Sequence, residues 1–239
     1  MVSIVTSIYL DFLSKFGVGG AHPGGIQLTK ELFKSETITP TTHILDVGCG
    51  TGQTAAYLAT QFGAIVTGID INPVMVEKAK TRMERYQLPV EIIQGSIENS
   101  SLKDKSFDLI ISESVLSFVN KPKSLTEIFR LLKSGGRFIA NELTINQSID
   151  PNNKKEIIQF YGLDSLLLEG DWITLLQQTG FKGLKIRRQD QPIFQQKITP
   201  EFFYSDYIEP ELYTIINQHV YIMAKYQGVL DYRVFSCVK

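Results

Sequence analysis

Ile44-Leu-Asp-Val-Gly-Cys-Gly-Thr-Gly-Gln-Thr54 is a short apolar run that breaks into glycine at every second position, Gly48, Gly50 and Gly52, before a helical pattern resumes. Glycine permits the backbone of a tight strand-to-helix turn and removes side chains that would keep a ligand away from the main chain. Asp46 stands two residues before the first glycine, and Asp70 ends the next apolar run, Ala64-Ile-Val-Thr-Gly-Ile-Asp70. A carboxylate at that second strand end can accept both hydroxyls of a ribose. The dinucleotide fingerprint G-x-G-x-x-G requires its third glycine at position 53, where this chain has Gln53, and has no counterpart of Asp46. The spacing G-x-G-x-G after an acid therefore fits a ligand without a pyrophosphate, and a sharp structural loop is the plainer alternative.

Outward from this turn the chain alternates. Apolar runs predict strands over 43–47, 64–70, 90–94, 107–111 and 137–142, and helical spacing predicts helices over 53–62, 73–87 and 122–132. Strands joined by helical crossovers imply a parallel sheet and an α/β fold. Asn72 is a plausible cap ahead of Pro73, and Lys133-Ser-Gly-Gly136 is expected to end the third helix. After residue 143 the pattern loosens until a helix over 171–180 and a strand from 183 to about 188. Leu212, Ile215, Ile216, Val220 and Met223 then recur at helical spacing within 199–227, and a closing strand starts at Leu230. Upstream, Val5, Ile8, Tyr9, Phe12, Leu13 and Phe16 predict an amphipathic helix that stops at Gly17-Val-Gly-Gly20, followed by a short helix from Gly25 to about Lys34.

At this point a resemblance can be stated. LDVGCGTG (45–52) followed by GIDINPVMVEKAK (68–80) resembles the first motif and the following acidic strand of class I S-adenosylmethionine-dependent methyltransferases. The likeness covers roughly residues 40–188 well and the C-terminal strand loosely. It implies a Rossmann-like, mostly parallel seven-stranded sheet of order 3-2-1-4-5-7-6, in a single domain over 1–239. An N-terminal helical lid (1–36) and substrate-side embellishments (143–170 and 191–227) are expected around it. The implied cofactor is S-adenosylmethionine, leaving as S-adenosylhomocysteine, and the implied partner is a small-molecule acceptor.

Ligands of open parallel sheets bind at the carboxyl ends of the strands. The segment from Asp46 through Gly48, Gly50 and Gly52 would face the methionine portion. Asp70 would hold the ribose or else cap the next helix, and Ile71 would pack on the adenine. Ser96 and Ile97 follow the third strand, where many family members have an aspartate in place of Ser96; they either meet the adenine or form a plain loop. Glu113, after the fourth strand, either contacts the cofactor's amino group or stabilises a short helix. Cys49 reads as a small buried residue of the turn.

Methyl transfer from a sulfonium asks the protein mainly for alignment and exclusion of water, and a base is needed only for a protonated acceptor. Glu113 and His22 are the candidate bases, with Glu142 a weaker one; His22 is alternatively a turn histidine bonded to backbone. His43 and His219 read as structural. The aromatic residues Phe160, Tyr161, Trp172, Phe194, Phe202, Phe203, Tyr204, Tyr207 and Tyr213 either line an acceptor pocket or attach helices to the sheet. With 24 basic against 25 acidic residues, nothing indicates a nucleic-acid or anionic-membrane surface. The three histidines form no recognisable metal motif, and two isolated cysteines fit a reducing cytoplasm. No apolar stretch reaches the roughly 18 residues needed to span a bilayer. Two alternatives stay open: a non-catalytic cofactor-binding regulator and a nicotinamide-dependent oxidoreductase. The acceptor, the atom methylated and the oligomeric state are not legible.

Overall fold

The computed structural model describes residues 7–188 and 200–239. Seven strands form the main sheet: β2 (His43–Val47), β3 (Ile65–Asp70), β4 (Glu91–Gln94), β5 (Phe107–Glu113), β6 (Leu132–Ile145), β7 (Lys182–Arg188) and β9 (Leu230–Val238). Their order is β4-β3-β2-β5-β6-β9-β7, which in sheet numbering is 3-2-1-4-5-7-6. Only β9 runs against its neighbours, pairing antiparallel with β6 and β7.

Period-two alternation sorts the strand side chains into two cores. Ile44, Leu109, Ile111, Ile139 and Val234 pack under α2 (Gly25–Phe33), α3 (Gln53–Phe62) and α4 (Pro73–Tyr86). Leu45, Val47, Ile110, Phe138 and Phe235 pack under α5 (Lys121–Leu131) and α7 (Glu169–Thr179), where Trp172 is buried against the ring of Phe235. A third cluster caps the carboxyl end of the sheet. There α1 (Ile8–Phe16), α6 (Pro151–Tyr161) and α8 (Ile215–Lys225) bring together Tyr9, Phe160, Tyr161 and Ile222 beside Phe118.

Three expectations need correction. The stretch Lys133–Gly136 does not end α5. The helix stops at Leu131, Leu132 is already extended, and the glycines lie in a bulged start of β6, between the pairings Phe107–Leu132 and Leu109–Arg137. Strand β6 also continues to Ile145, because β9 offers it partners along its whole length. The loose region after 143 contains α6, capped by Asp150, whose carboxylate accepts from the Asn152 amide at 2.8 Å. Only Ile157 and Tyr161 of that helix are buried, so its apolar stripe is too thin to announce itself.

The expected lid divides in two. Helix α2 is built into the core through Leu28 and fully buried Phe33, whereas α1 packs on α6, on the 3₁₀ turn Pro210–Thr214 and on α8. Between them, β1 (Val18–Gly19) pairs with β8 (Glu201–Phe202) to make a strap across the mouth of the first strand–helix turn. Val5 and Phe194 lie outside the described residues.

Candidate active site

The turn after β2 adopts the conformation its glycines allow. Gly48, Gly50 and Gly52 have φ of +65°, +53° and +74°. A Cβ on Gly48 would come within 2.2 Å of Val115, and one on Gly52 within 2.6 Å of Met83, so these two positions permit close packing. Gly50 is different, because a Cβ there would meet nothing within 4 Å. It borders open space at the carboxyl end of the sheet, as a ligand cradle requires.

Three carboxylates converge on that turn. Asp46 is 2 % exposed and its Oδ2 has no partner. Burial raises its carboxyl well above the ordinary range, and the charges of Glu113 and Asp70 push it further. Asp70 is also raised by burial, and it is held back by backbone donors. Its Oδ2 accepts from the Gly50 amide at 2.9 Å and its Oδ1 from the Asn72 amide at 2.8 Å, which ties the glycine turn to the end of β3. The cap of α4 is Asn72, whose Oδ1 accepts from Val74 and Met75. Asp70 is thereby released from the capping role it was read against. The Cys49 thiol, buried between these acids, is likewise pushed up by burial. Buried carboxyls crowded in this way favour a cation beside them, and a ligand carrying a sulfonium and an α-ammonium fits the donor set of Asp46 and Asp70.

Glu113 ends β5 with a side chain only 6 % exposed. Its Oε1 accepts from the Thr29 hydroxyl of α2 at 2.6 Å and its Oε2 from the Thr54 hydroxyl of α3 at 2.7 Å, with His22 Nε2 at 3.5 Å from Oε2. Asn141 on β6 donates from Nδ2 to the Pro23 carbonyl at 2.9 Å, and the same Nδ2 lies 3.3 Å from His22 Nδ1. Ser114, next to Glu113, holds a left-handed backbone with φ +60°, a conformation that costs roughly 1–3 kcal/mol outside glycine. Among the described residues, eight buried side-chain polar atoms lack a partner; six belong to this site, on His22, Asp46, Thr51, Gln53, Ser114 and Asn141. Such orphans are rare in folded proteins, and six gathered in one place mark where water or a ligand can complete the bonding.

Glu142 is buried within the protein and faces no opening. It accepts from the hydroxyls of Ser112 and Ser117 and from the amides of Val115, Leu116 and Ser117, all at 3.0–3.2 Å. Its work is to hold the segment after β5 in shape. Ser96 uses its hydroxyl to accept from the Glu98 amide in a local turn, and Ile97 is buried in the lower core. Ile71 is 37 % exposed beside the cradle. His43 begins β2, and His219 Nδ1 shares a hydrogen bond of 3.0 Å with the Tyr161 hydroxyl while the ring stacks on Tyr9.

Sequence reading missed the strap and its latch. Glu201 accepts from Gln53 Nε2 at 2.7 Å and pairs with Arg82 at 3.0 Å, while Arg82 Nε donates to the Thr51 carbonyl at 2.7 Å. Arg82 is 7 % exposed, and an arginine three residues after Ala79, within the helix's apolar stripe, is the signal that could have found it. The aromatic set splits. Trp172 and Tyr161 are packing residues, whereas Phe202, Tyr204, Tyr207 and Tyr213 are exposed on the strap and the segment that follows it. Two open hollows of about 340 and 350 Å³, one lined by Glu36–Thr42 with Arg137 and one by Lys80–Ile92, lie away from these strand ends. Neither gathers the orphaned groups. Among the described residues no three His, Cys, Asp or Glu side chains form a metal-binding group, and no helix is long and apolar enough to cross a membrane.

Comparison with known proteins follows the same stretch of chain. Residues 45–140 match the family described as "Methyltransferase domain". The uncharacterised methyltransferase YodH of Bacillus subtilis is 37% identical over 233 residues, covering 98% of this chain and 100% of that protein. Phosphoethanolamine N-methyltransferase 1 of Arabidopsis thaliana is 31% identical over 150 residues, 62% of this chain and 30% of that protein. Among solved structures, phosphoethanolamine N-methyltransferase 2 of Haemonchus contortus, in complex with S-adenosyl-L-methionine, superposes with a TM-score of 0.78 at 19% identity. That likeness covers 97% of this chain and 56% of the other.

Proposed function

This chain belongs to the class I S-adenosylmethionine-dependent methyltransferases, and on that premise we propose that it transfers the methyl group to a small-molecule acceptor bound beside Glu113. Membership removes the nicotinamide alternative. The observation that carries the reading is the meeting of Asp46, Asp70 and Glu113 around the open space at Gly50, with unsatisfied polar atoms on every side.

When bound, S-adenosylmethionine supplies a methyl group already activated on a cationic sulfur. The chain's own residues then bind, orient and exclude water. In this reading the amides of the turn and Asp46 take the methionine end, and Asp70 takes the ribose hydroxyls. Ile71 lies against the adenine, and Ser96 and Ile97 shape the loop behind it. Glu113 occupies the end nearest the acceptor, where it can take up a proton from a hydroxyl or ammonium. His22 closes the site above it. The acceptor side is formed by α1, residues 143–170 and the described part of 191–227, whose aromatic cluster around Tyr9, Phe160 and Tyr161 meets Phe118 close to Glu113. Relatives named for phosphoethanolamine support a small acceptor. Cys49 and Cys237 are both free and buried, which supports a reducing compartment such as the cytoplasm.

The deciding experiment incubates the purified protein with methyl-labelled S-adenosylmethionine and fractionated cell metabolites. Label is expected in a low-molecular-weight product. Tight cofactor binding with no labelled product across all fractions would instead identify a regulator without turnover. A second expectation concerns Asp70. Asp70→Ala should weaken S-adenosylmethionine binding by about 1.5–3 kcal/mol, the loss of a charge-assisted hydrogen-bond pair. Calorimetry giving wild-type affinity would remove Asp70 from the site.

A further inference from the structure

We infer that Asn141 is a positioning residue that fixes the tautomer of His22, placing the ring hydrogen on Nε2 toward Glu113 and leaving Nδ1 without one. The observation is a chain of contacts around the ring. Nδ1 stands 3.3 Å both from the Pro23 carbonyl, which would accept a hydrogen from it, and from Asn141 Nδ2, which would donate to it, so the contacts on the far side of the ring decide between the two. The Pro23 carbonyl can only accept, so the end of the Asn141 side chain at 2.9 Å from it is the NH₂ group. One of its hydrogens goes to that carbonyl. The other is directed at His22 Nδ1, 3.3 Å away, and asks for a lone pair there. At the far side of the ring, Nε2 is buried and faces Glu113 Oε2 at 3.5 Å. The two oxygens of that carboxylate already accept from Thr29 and Thr54, so its remaining capacity is for further donors. A bare Nε2 would set two lone pairs against each other. A hydrogen on Nε2 satisfies both ends of the ring.

This assignment gives the two candidate bases different work. With its hydrogen on Nε2, His22 donates toward Glu113 and has no lone pair on the side that faces the site. Proton uptake from the acceptor falls to Glu113, which the imidazole steadies as a third donor. Asn141 acts through His22, and Asn141 Oδ1 remains a buried acceptor without a partner in the same cluster. An asparagine within the apolar run Phe138-Ile-Ala-Asn141, on a strand buried on both faces, is there for its amide.

The test is spectroscopic and uses the unmodified, ligand-free protein. The chain has three histidines, His22, His43 and His219, so with ¹⁵N-labelled histidine a long-range ¹H–¹⁵N correlation map at pH 8 resolves each ring, and loss of one set in His22→Gln assigns it. The expected pattern for His22 is a protonated Nε2 and a pyridine-like Nδ1. Asn141→Asp, which puts an acceptor where the amide donated, should move the hydrogen to Nδ1. A hydrogen on Nδ1 of the wild-type ring, in either the neutral or the doubly protonated form, overturns the inference. So does an Asn141→Asp ring unchanged from wild type. The kinetic consequence rests on the functional reading above: Asn141→Asp should lower kcat on the order of tenfold, with the KM for S-adenosylmethionine within about twofold. A protein with the expected tautomer but no methyl transfer keeps this inference and loses that reading; an active enzyme with the wrong tautomer does the reverse.

Discussion

Gly50→Val is expected to give a folded protein that no longer binds S-adenosylmethionine. The position has φ +53° and open space where the side chain would grow, so nothing in the ligand-free protein is displaced by it. The cost to folding is backbone strain alone, roughly 1–3 kcal/mol, which lies within the typical stability of about 5–15 kcal/mol. The cost to binding is larger, because two methyl groups would fill the cradle and push the ligand off the turn's amides. A loss of more than about 100-fold in affinity, or about 2.7 kcal/mol, is expected by calorimetry. Gly183 provides a matched control. It has φ +59°, equally open surroundings and a place on β7 away from the site, so Gly183→Val should lose similar thermal stability and keep its affinity. Equal binding by both variants would place the ligand elsewhere.

Glu142→Ala should be the most destabilising change near the site, by about 3–5 kcal/mol. It strips the acceptor from three buried amides and two hydroxyls at once, leaving donors that cannot reach water. In a chain of this length that corresponds to a fall in Tm of roughly 10 °C. The same residue has a pH signature. Burial raises its carboxyl from 4.5 to about 7, and the hydrogen bonds it accepts from Leu116, Ser117, Val115 and Ser112 hold it from rising higher. Between those values the folded chain keeps a proton that the unfolded chain releases, so stability from this group is greatest below about 4.5 and declines as pH rises toward 7. Glu142→Gln cannot titrate. Wild type should therefore lose stability relative to the glutamine variant between pH 5 and pH 8, by on the order of 2 kcal/mol. Urea unfolding of both proteins at the two pH values measures this. A constant difference would mean that Glu142 does not change charge in that range.

Much of the architecture was readable along the chain because its signals are local. The glycine turn, the acid that precedes it, the acid ending β3 and the Asn72-Pro73 helix start each depend on a few consecutive residues, and each stands where it was expected. The failures also have local causes. Lys133–Gly136 carries the residues of a helix end, yet the pairing of β6 with β5 draws those residues into a strand, since sheet hydrogen bonds outweigh a weak capping preference.

Composition and spacing were enough to indicate an α/β chain with a glycine turn between acids at 46 and 70, since glycine geometry and hydrophobic period act over a few residues. They could not say which groups meet at Glu113. Thr29, Thr54, His22 and Asn141 come from α2, α3, the Pro-Gly turn and β6, with separations of 84 residues for Thr29 to Glu113 and 119 for Asn141 to His22. Nothing local specifies such encounters. They arise when the strands pair and the two cores close, and burial then turns ordinary polar side chains into one bonded cluster at the carboxyl end of the sheet.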